Sequence, residues 1–229
     1  NIANALLGTS FFLKLCGAFL SLVILWIISD HFISNYLEKS VILIIAFSAL
    51  FHSFKVIDFY FQSKVISRFS VYASIFSLLL SIIVKIVLIL NKAPLIAFAY
   101  AFLFDAITLS LAYIFFYLKQ DLSIFKWHFE KHLIQALLKD SWPLILSSIF
   151  ISIYMKIDQV MIKAILDAKK VGEYAAAATI SEAWYFIPSI IAISLFPAII
   201  NAKKQNEKLY YSRLKNLYIL MFWSALLIA

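Results

Sequence analysis

The side chains with the most chemical potential in this sequence lie inside long apolar runs. Residues 141–200 contain two such runs joined by a polar turn at residues 167–172, with Asp158 inside the first and Glu182 inside the second. A charge at mid-membrane costs roughly 2.5–3.5 kcal/mol on insertion scales, so it usually faces a bundle interior or a polar cavity. Such groups can bind an ion or accept hydrogen bonds from hydroxyls. The candidate cavity residues are Lys14, Lys55, Asp105, Tyr154, Lys156, Asp158 and Glu182.

Helical spacing places several of these residues on common faces. Tyr154 and Asp158 are four residues apart, so we expect both to point into one polar space, whereas Lys156 points elsewhere. In the second run, Glu182 shares a stripe with Ala178, Phe186 and Ser189. The alanine run before Glu182 is small enough to allow close helix contact.

Each charge also has a simpler interpretation. Lys85 and Lys163 lie close enough to span ends to reach the membrane surface. Lys55 and Asp58, three residues apart, can neutralise each other. For the deepest carboxylates, Asp105 included, the main alternative is a structural salt bridge between spans.

Other kinds of site are weakly supported. Pro188 and Pro197 interrupt the second run and are candidate hinges. His128 and His132 are four residues apart but lack the HExxH arrangement, so we expect no metal site. No Walker motif, GxSxG elbow or CxxC occurs, so we expect a protein without a cofactor that is not an enzyme.

Composition dictates the elements that position these residues. The sequence is 64% hydrophobic and only 14% charged, and its apolar residues form blocks of about 20, the length of a membrane-crossing helix. The blocks are apolar on every face, unlike barrel strands. The sequence therefore predicts an all-α, polytopic transmembrane bundle of about seven spans. We place the spans at residues 6–28, 41–61, 71–90 and 95–118, at two positions within 141–200, and from about residue 217.

Residues 119–140 interrupt this pattern. They mix lysines with Trp127 and Phe129, which is typical of an amphipathic helix at the membrane interface or of a linker between two halves. Because the sequence starts at Asn1 and stops at Ala229 inside an apolar block, we expect a piece of a longer protein.

Basic residues in the connections predict the orientation. One side holds eleven and the other four, namely Lys39, Lys92, Lys169 and Lys170. The positive-inside rule then makes residue 1 cytoplasmic and the turn at 167–172 external. The basic residues behind the net charge of +8 lie mainly in these connections. We therefore expect the lipid bilayer as the partner and no nucleic acid. The eleven are Lys64, Arg68, Lys119, Lys126, Lys131, Lys139, Lys203, Lys204, Lys208, Arg213 and Lys215.

The sequence resembles a known family in three places. These are GTSFFLKLCGA, IDFYFQSKVISRFSVY, and SWPLILSSIFISIYMKIDQVMI with the following VGEYAAAATISEAWYFIPSIIAISLFPAI. The pattern is similar to Wzx-type O-antigen and polysaccharide flippases of the multidrug/oligosaccharidyl-lipid/polysaccharide exporter superfamily. Lys14 lies where a basic residue is expected in that family, and Asp158 matches the aspartate of its YxxxD pattern.

The resemblance implies a two-lobe exporter fold. Residues 1–118 would be the C-terminal part of the first lobe, 119–140 the cytoplasmic inter-lobe linker, and 141–229 the first part of the second lobe. The implied function is translocation of undecaprenyl-diphosphate-linked oligosaccharide, an O-antigen (lipopolysaccharide) or capsule repeat unit, across the bacterial inner membrane. Alternating access would be coupled to a proton or sodium ion, and the 167–172 turn would be periplasmic. A polysaccharide polymerase and a chain-length regulator are the implied protein partners.

Three alternatives remain open at this point. The first is a cation-coupled multidrug exporter of the same superfamily, which the lysines inside the spans disfavour. The second, from another class, is a membrane-embedded polysaccharide polymerase or transferase, which should carry a long loop rich in Arg, His or acidic residues. The third is a structural membrane subunit, which would not explain three carboxylates at mid-depth.

Overall fold

The computed structural model describes residues 2–64 and 66–228, apart from the side chains at 193, 197, 204, 205, 227 and 228. Throughout these residues the secondary structure is helical, with no strand, which confirms the predicted all-α class. The helices are α1 (Ile2–Phe32), α2 (Tyr36–Phe51), α3 (Val56–Ser63), α4 (Arg68–Leu90), α5 (Leu95–Leu118), α6 (Lys131–Ile165), α7 (Ala168–Glu182), α8 (Phe186–Gln205) and α9 (Glu207–Ile228).

Six segments of the described chain are helical, long and apolar enough to cross a membrane. They are Ile2–Phe32, Tyr36–Ser63, Arg68–Leu90, Leu95–Leu118, Lys131–Ile165 and Ala168–Lys203. The helix α9, where the sequence predicted a further span from residue 217, is not among the six. The protein is therefore a multi-pass α-helical membrane protein.

Two of the six segments contain a break that the sequence analysis did not predict. Within Tyr36–Ser63, a turn of 3-10 helix at His52–Lys55 separates α2 from α3. Within Ala168–Lys203, a 3-10 turn at Ala183–Tyr185 separates α7 from α8. Breaks of this kind occur at membrane depth where backbone lines a cavity or finds other partners. Both lie directly beside candidate residues, namely Lys55 and Glu182.

The helices form two compact units, which divide between Trp142 and Pro143. Because α6 starts at Lys131, the second half of the predicted linker is helical and continuous with the fifth span. Residues 119–130 hold only one short 3-10 turn, Ile124–Lys126. The assignment of the chain to two transporter lobes stays a prediction.

The first unit packs α5 against α2 and α4, and α1 against α2. Its α4 shows the packing expected in a membrane, because the buried residues are small while the large ones, such as Leu79 and Ile83, are exposed. The buried residues are Ser70, Ala73, Ser77 and Ser81, spaced three or four apart. An aromatic and aliphatic core lies at one end, built from Leu7, Val56, Ile57, Phe61, Ala73, Ala112, Tyr113 and Tyr117.

Residues 123–130, which we call the strap, lie against the start of α1. The indole N–H of Trp127 donates a hydrogen bond to the Tyr117 hydroxyl at 3.0 Å, and the backbone N–H of Glu130 donates to Thr9 Oγ1 at 3.0 Å. At Gly8, a Cβ atom would lie 2.5 Å from the carbonyl oxygen of His128. Only glycine lets the strap approach α1 this closely.

Candidate transport site

A polar pocket of about 500 Å³ lies between α6 and α7 in the second unit. It contains three of the seven predicted candidates, Tyr154, Asp158 and Glu182, which the sequence had placed on two separate runs. The structure therefore brings these three together. Its lining consists of Tyr154, Met155, Asp158, Tyr174, Ala177, Ala178, Ser181, Glu182 and Tyr185.

Asp158 is fixed in the pocket from two directions. One carboxylate oxygen accepts a hydrogen bond from the Tyr174 hydroxyl of α7, and the other accepts one from the backbone N–H of Gln159 at 2.8 Å. Hydrogen bonds to an ionised acceptor are the stronger kind. Because neither donor is a cation, the negative charge of Asp158 is solvated by these groups and is not neutralised.

Within the described residues, Lys156 forms its salt bridge with Glu182 and not with Asp158. Its ammonium lies 3.8 Å from a carboxylate oxygen of Glu182. The pair is loose and half-exposed, with side-chain exposures of 57% for Lys156 and 33% for Glu182, so its contribution to stability is small. The contact nevertheless brings a second charged group from α6 against α7.

Tyr174 is a pocket residue that the sequence analysis missed. It precedes Ala178 by four residues and Glu182 by eight, so it lies on the stripe already identified in α7. The predicted stripe began at Ala178, and Tyr174 lies one helical turn before it.

Two of the candidate lysines, Lys14 and Lys55, lie in the first unit. Lys14 on α1 interacts electrostatically with Lys55 and Asp58, which lie at the break between α2 and α3. Its ammonium lies 4.6 Å from the centroid of the Phe59 ring, a cation–π contact. His52, in the same break, interacts with both lysines.

Lys55 and Asp58 do not form the ion pair that the simpler interpretation required. Within the described residues, no salt bridge joins them at 4.0 Å or less, and Asp58, which is 7% exposed, instead accepts a hydrogen bond from Gln62 at 3.0 Å. The group therefore combines two lysines with one carboxylate. It is a cationic cluster in the first unit, in which Asp58 is buried, Lys14 is half-buried and Lys55 is exposed.

Asp105 has a different environment. The Lys85 ammonium of α4 lies 2.7 Å from one of its carboxylate oxygens, so the lysine pairs between spans and does not reach for the membrane surface. The other oxygen, Oδ1, is buried without a hydrogen-bond partner in the described part of the chain. Asp105 and His52 both line a cavity of about 240 Å³ in this unit. The role of Asp105 in transport stays a prediction.

Of the two candidate hinges, Pro188 can be related to the observed break. Proline has no backbone N–H, so Pro188 cannot donate to the carbonyl of Trp184, which lies in the 3-10 turn Ala183–Tyr185. The side chain of Pro197 lies outside the described residues. Bending at either proline stays a prediction.

The remaining histidines form no metal site in the described chain. His128 and His132 each approach a carboxylate oxygen of Glu130, at 3.3 and 3.4 Å. Within residues 2–64 and 66–228, however, no group of three or more His, Cys, Asp or Glu side chains is arranged to hold a metal ion.

Two membrane-spanning segments each contain a turn of 3-10 helix with an ionisable side chain in it or directly before it, and such turns within helices often mark functional sites. The chain belongs to the polysaccharide biosynthesis protein family, whose model matches residues 1–203. This is the family of Wzx-type polysaccharide and O-antigen flippases and related exporters, so the predicted resemblance is confirmed. Comparisons with curated proteins and with solved structures give no match.

Proposed function

We propose that this chain is part of a flippase that moves undecaprenyl-diphosphate-linked oligosaccharide from the inner to the outer leaflet of the bacterial cytoplasmic membrane. The observation that carries the proposal is the pair of interrupted spans, each with ionisable side chains at its break. Family membership supports the polysaccharide substrate. A polymerase and a chain-length regulator would be partners of the whole protein.

Each unit, taken by itself, holds side chains with chemistry that such a substrate needs. The diphosphate needs cations, and Lys14 and Lys55 supply them in the first unit as point charges with His52 beside them. The oligosaccharide needs hydrogen-bond acceptors, and Asp158 and Glu182 supply them in the second unit. The lipid tail can stay in the bilayer throughout.

Transport against a gradient also requires coupling. We propose that one of the carboxylates, Asp105, Asp158 or Glu182, binds a proton or a sodium ion during alternating access. The ion pair with Lys85 disfavours Asp105 in this role, because its charge is already balanced. Asp158 is the strongest candidate, since its hydrogen bonds come from neutral donors.

The proposal is tested by complementing a flippase-null bacterial strain with the full-length gene. The wild type should restore surface polysaccharide, whereas Asp158→Ala should abolish it at an unchanged level of protein in the membrane. Asp140→Ala is the matched control, because Asp140 is an exposed carboxylate on the same helix, outside the pocket. Normal polysaccharide in the Asp158 variant would contradict the assignment.

A drug exporter of the same superfamily is the second candidate function. The cationic cluster at Lys14 and Lys55 disfavours it, because cationic drugs would be repelled there. Efflux of a cationic dye by the full-length protein, without restoration of surface polysaccharide, would favour the exporter over the flippase.

A further inference from the structure

The pocket between α6 and α7 combines aromatic rings with carboxylates. Tyr154 and Tyr185 line it and are 79% and 58% exposed, so their ring faces are open to a ligand. Asp158 of α6 and Glu182 of α7 line the same pocket. Aromatic rings pack against the C–H face of a pyranose, and carboxylates accept hydrogen bonds from its hydroxyls. These are the two contacts that a sugar ring requires.

The pocket also carries a net charge. Two carboxylates, Asp158 and Glu182, face one ammonium, that of Lys156, which gives a single net negative charge. Lys156 is 57% exposed, and its ammonium lies 3.8 Å from a carboxylate oxygen of Glu182. Asp158 accepts its hydrogen bonds from Tyr174 and Gln159, so its charge stays available.

A negative pocket discriminates among sugars by charge. The carboxylate of a uronic acid placed between Tyr154 and Asp158 would meet a like charge at short range, which disfavours binding. A hexose or an N-acetylated amino sugar carries no charge and would keep every hydroxyl contact. A free amino sugar would gain an ion pair.

We propose that this pocket is a sugar subsite that accepts uncharged or amino sugars of the lipid-linked oligosaccharide and rejects acidic ones, with Glu182 and Asp158 setting the preference. The inference rests on the proposed flippase function and adds the substrate's charge class to it. The cationic cluster of the first unit does not conflict with this preference, because it is assigned to the diphosphate that both kinds of substrate share.

The test compares two substrates in one preparation of the full-length protein in liposomes. The probes are undecaprenyl-diphosphate carrying an N-acetylglucosamine disaccharide and the same lipid in which the terminal sugar is glucuronic acid. Translocation is measured as the fraction of each that becomes accessible to an enzyme added outside. We expect the uncharged substrate to move about tenfold faster, the factor that corresponds to 1.4 kcal/mol. The ratio does not depend on how much protein is folded.

Glu182→Gln should narrow this ratio several-fold, because it removes one negative charge and keeps a hydrogen-bonding side chain. Glu173→Gln is the matched control, since Glu173 lies on the same helix, pairs with Lys170 at 2.8 Å and does not line the pocket. Its ratio should equal that of the wild type.

The outcomes separate the two proposals. Equal rates for both substrates, or faster movement of the acidic one, would overturn the sugar subsite and leave the flippase function standing. The same holds if Glu182→Gln leaves the ratio unchanged. Movement of neither substrate would overturn both proposals.

Discussion

The Tyr174 hydroxyl of α7 donates a hydrogen bond to the Asp158 carboxylate of α6, although the two residues are 16 positions apart in the sequence. The contact joins α6 to α7, as the Lys156–Glu182 contact also does. It also fixes the orientation of the carboxylate on which the proposed transport depends. Tyr174 is therefore a positioning residue for Asp158.

Tyr174→Phe removes this hydrogen bond and keeps the ring. We expect a several-fold loss of transport in the complementation assay, with normal amounts of protein in the membrane, because Asp158 then keeps only the hydrogen bond from the Gln159 backbone N–H. Tyr185→Phe is the control, since Tyr185 lines the same pocket but has no side-chain hydrogen bond to Asp158. A greater loss for Tyr185→Phe than for Tyr174→Phe would contradict the positioning role.

Gly8→Ala tests the contact between the strap and α1. The new Cβ would lie 2.5 Å from His128 O and 2.8 Å from His128 N, and backbone atoms cannot yield as a flexible side chain would. We expect a loss of roughly 1–3 kcal/mol in the free energy of unfolding, as for other overpacked sites. Denaturant unfolding in detergent, followed by circular dichroism, measures the change.

Gly17→Ala is the matched control for this experiment. Gly17 lies on the same helix, but a Cβ there meets nothing within 4 Å. Replacing a mid-helix glycine by alanine should stabilise the protein by about 0.5–1 kcal/mol. If both variants moved in the same direction, the close approach at Gly8 would not be responsible.

The Lys85–Asp105 pair can be tested by a double-mutant cycle. Replacing either residue by alanine leaves the other charge without its partner between α4 and α5. The free energies of unfolding lost in the two single variants should therefore add up to more than the loss in the double variant. We expect a coupling of roughly 0.5–3 kcal/mol in the free energy of unfolding. The exposed Lys170–Glu173 pair should show little coupling, because water and salt screen it. Additive effects at Lys85 and Asp105 would show that the pair is not stabilising.

Pro188→Ala tests the break between α7 and α8. Alanine restores a backbone N–H that can reach the Trp184 carbonyl, so the 3-10 turn at Ala183–Tyr185 should become α-helical. We expect slower transport from a protein that is at least as stable as the wild type. Unchanged transport together with a rise in stability would remove Pro188 from the list of hinges.

The sequence was sufficient for the spans because about 20 apolar residues can be accommodated in only one way in a membrane. It was not sufficient for the break at His52–Lys55, which contains neither glycine nor proline. There the Ser110 hydroxyl of α5 lies 2.7 Å from the carbonyl oxygen of Phe51, the last residue of α2, and 2.8 Å from that of Ala106 in its own helix. The contact at Phe51 comes from a residue distant in sequence, so no local pattern could indicate it.

The candidate site also has a part that the sequence predicted and a part that it could not predict. Helical spacing alone placed Tyr154 and Asp158 on one face, and the structure finds both on one pocket. The contacts of Lys156 with Glu182 and of Lys85 with Asp105 join different helices, and only the packing of those helices determines them. Spacing along one helix predicts which residues share a face, but it does not predict which residue of another helix they contact.

The contact at Gly8 also has a consequence for natural sequence variation. A strap that follows the same path in a related protein would meet the same obstruction from any side chain at this position of α1. Homologues that keep Trp127 and its tyrosine partner should therefore keep glycine at the position of Gly8, whereas the position of Gly17 should vary freely to alanine and larger residues.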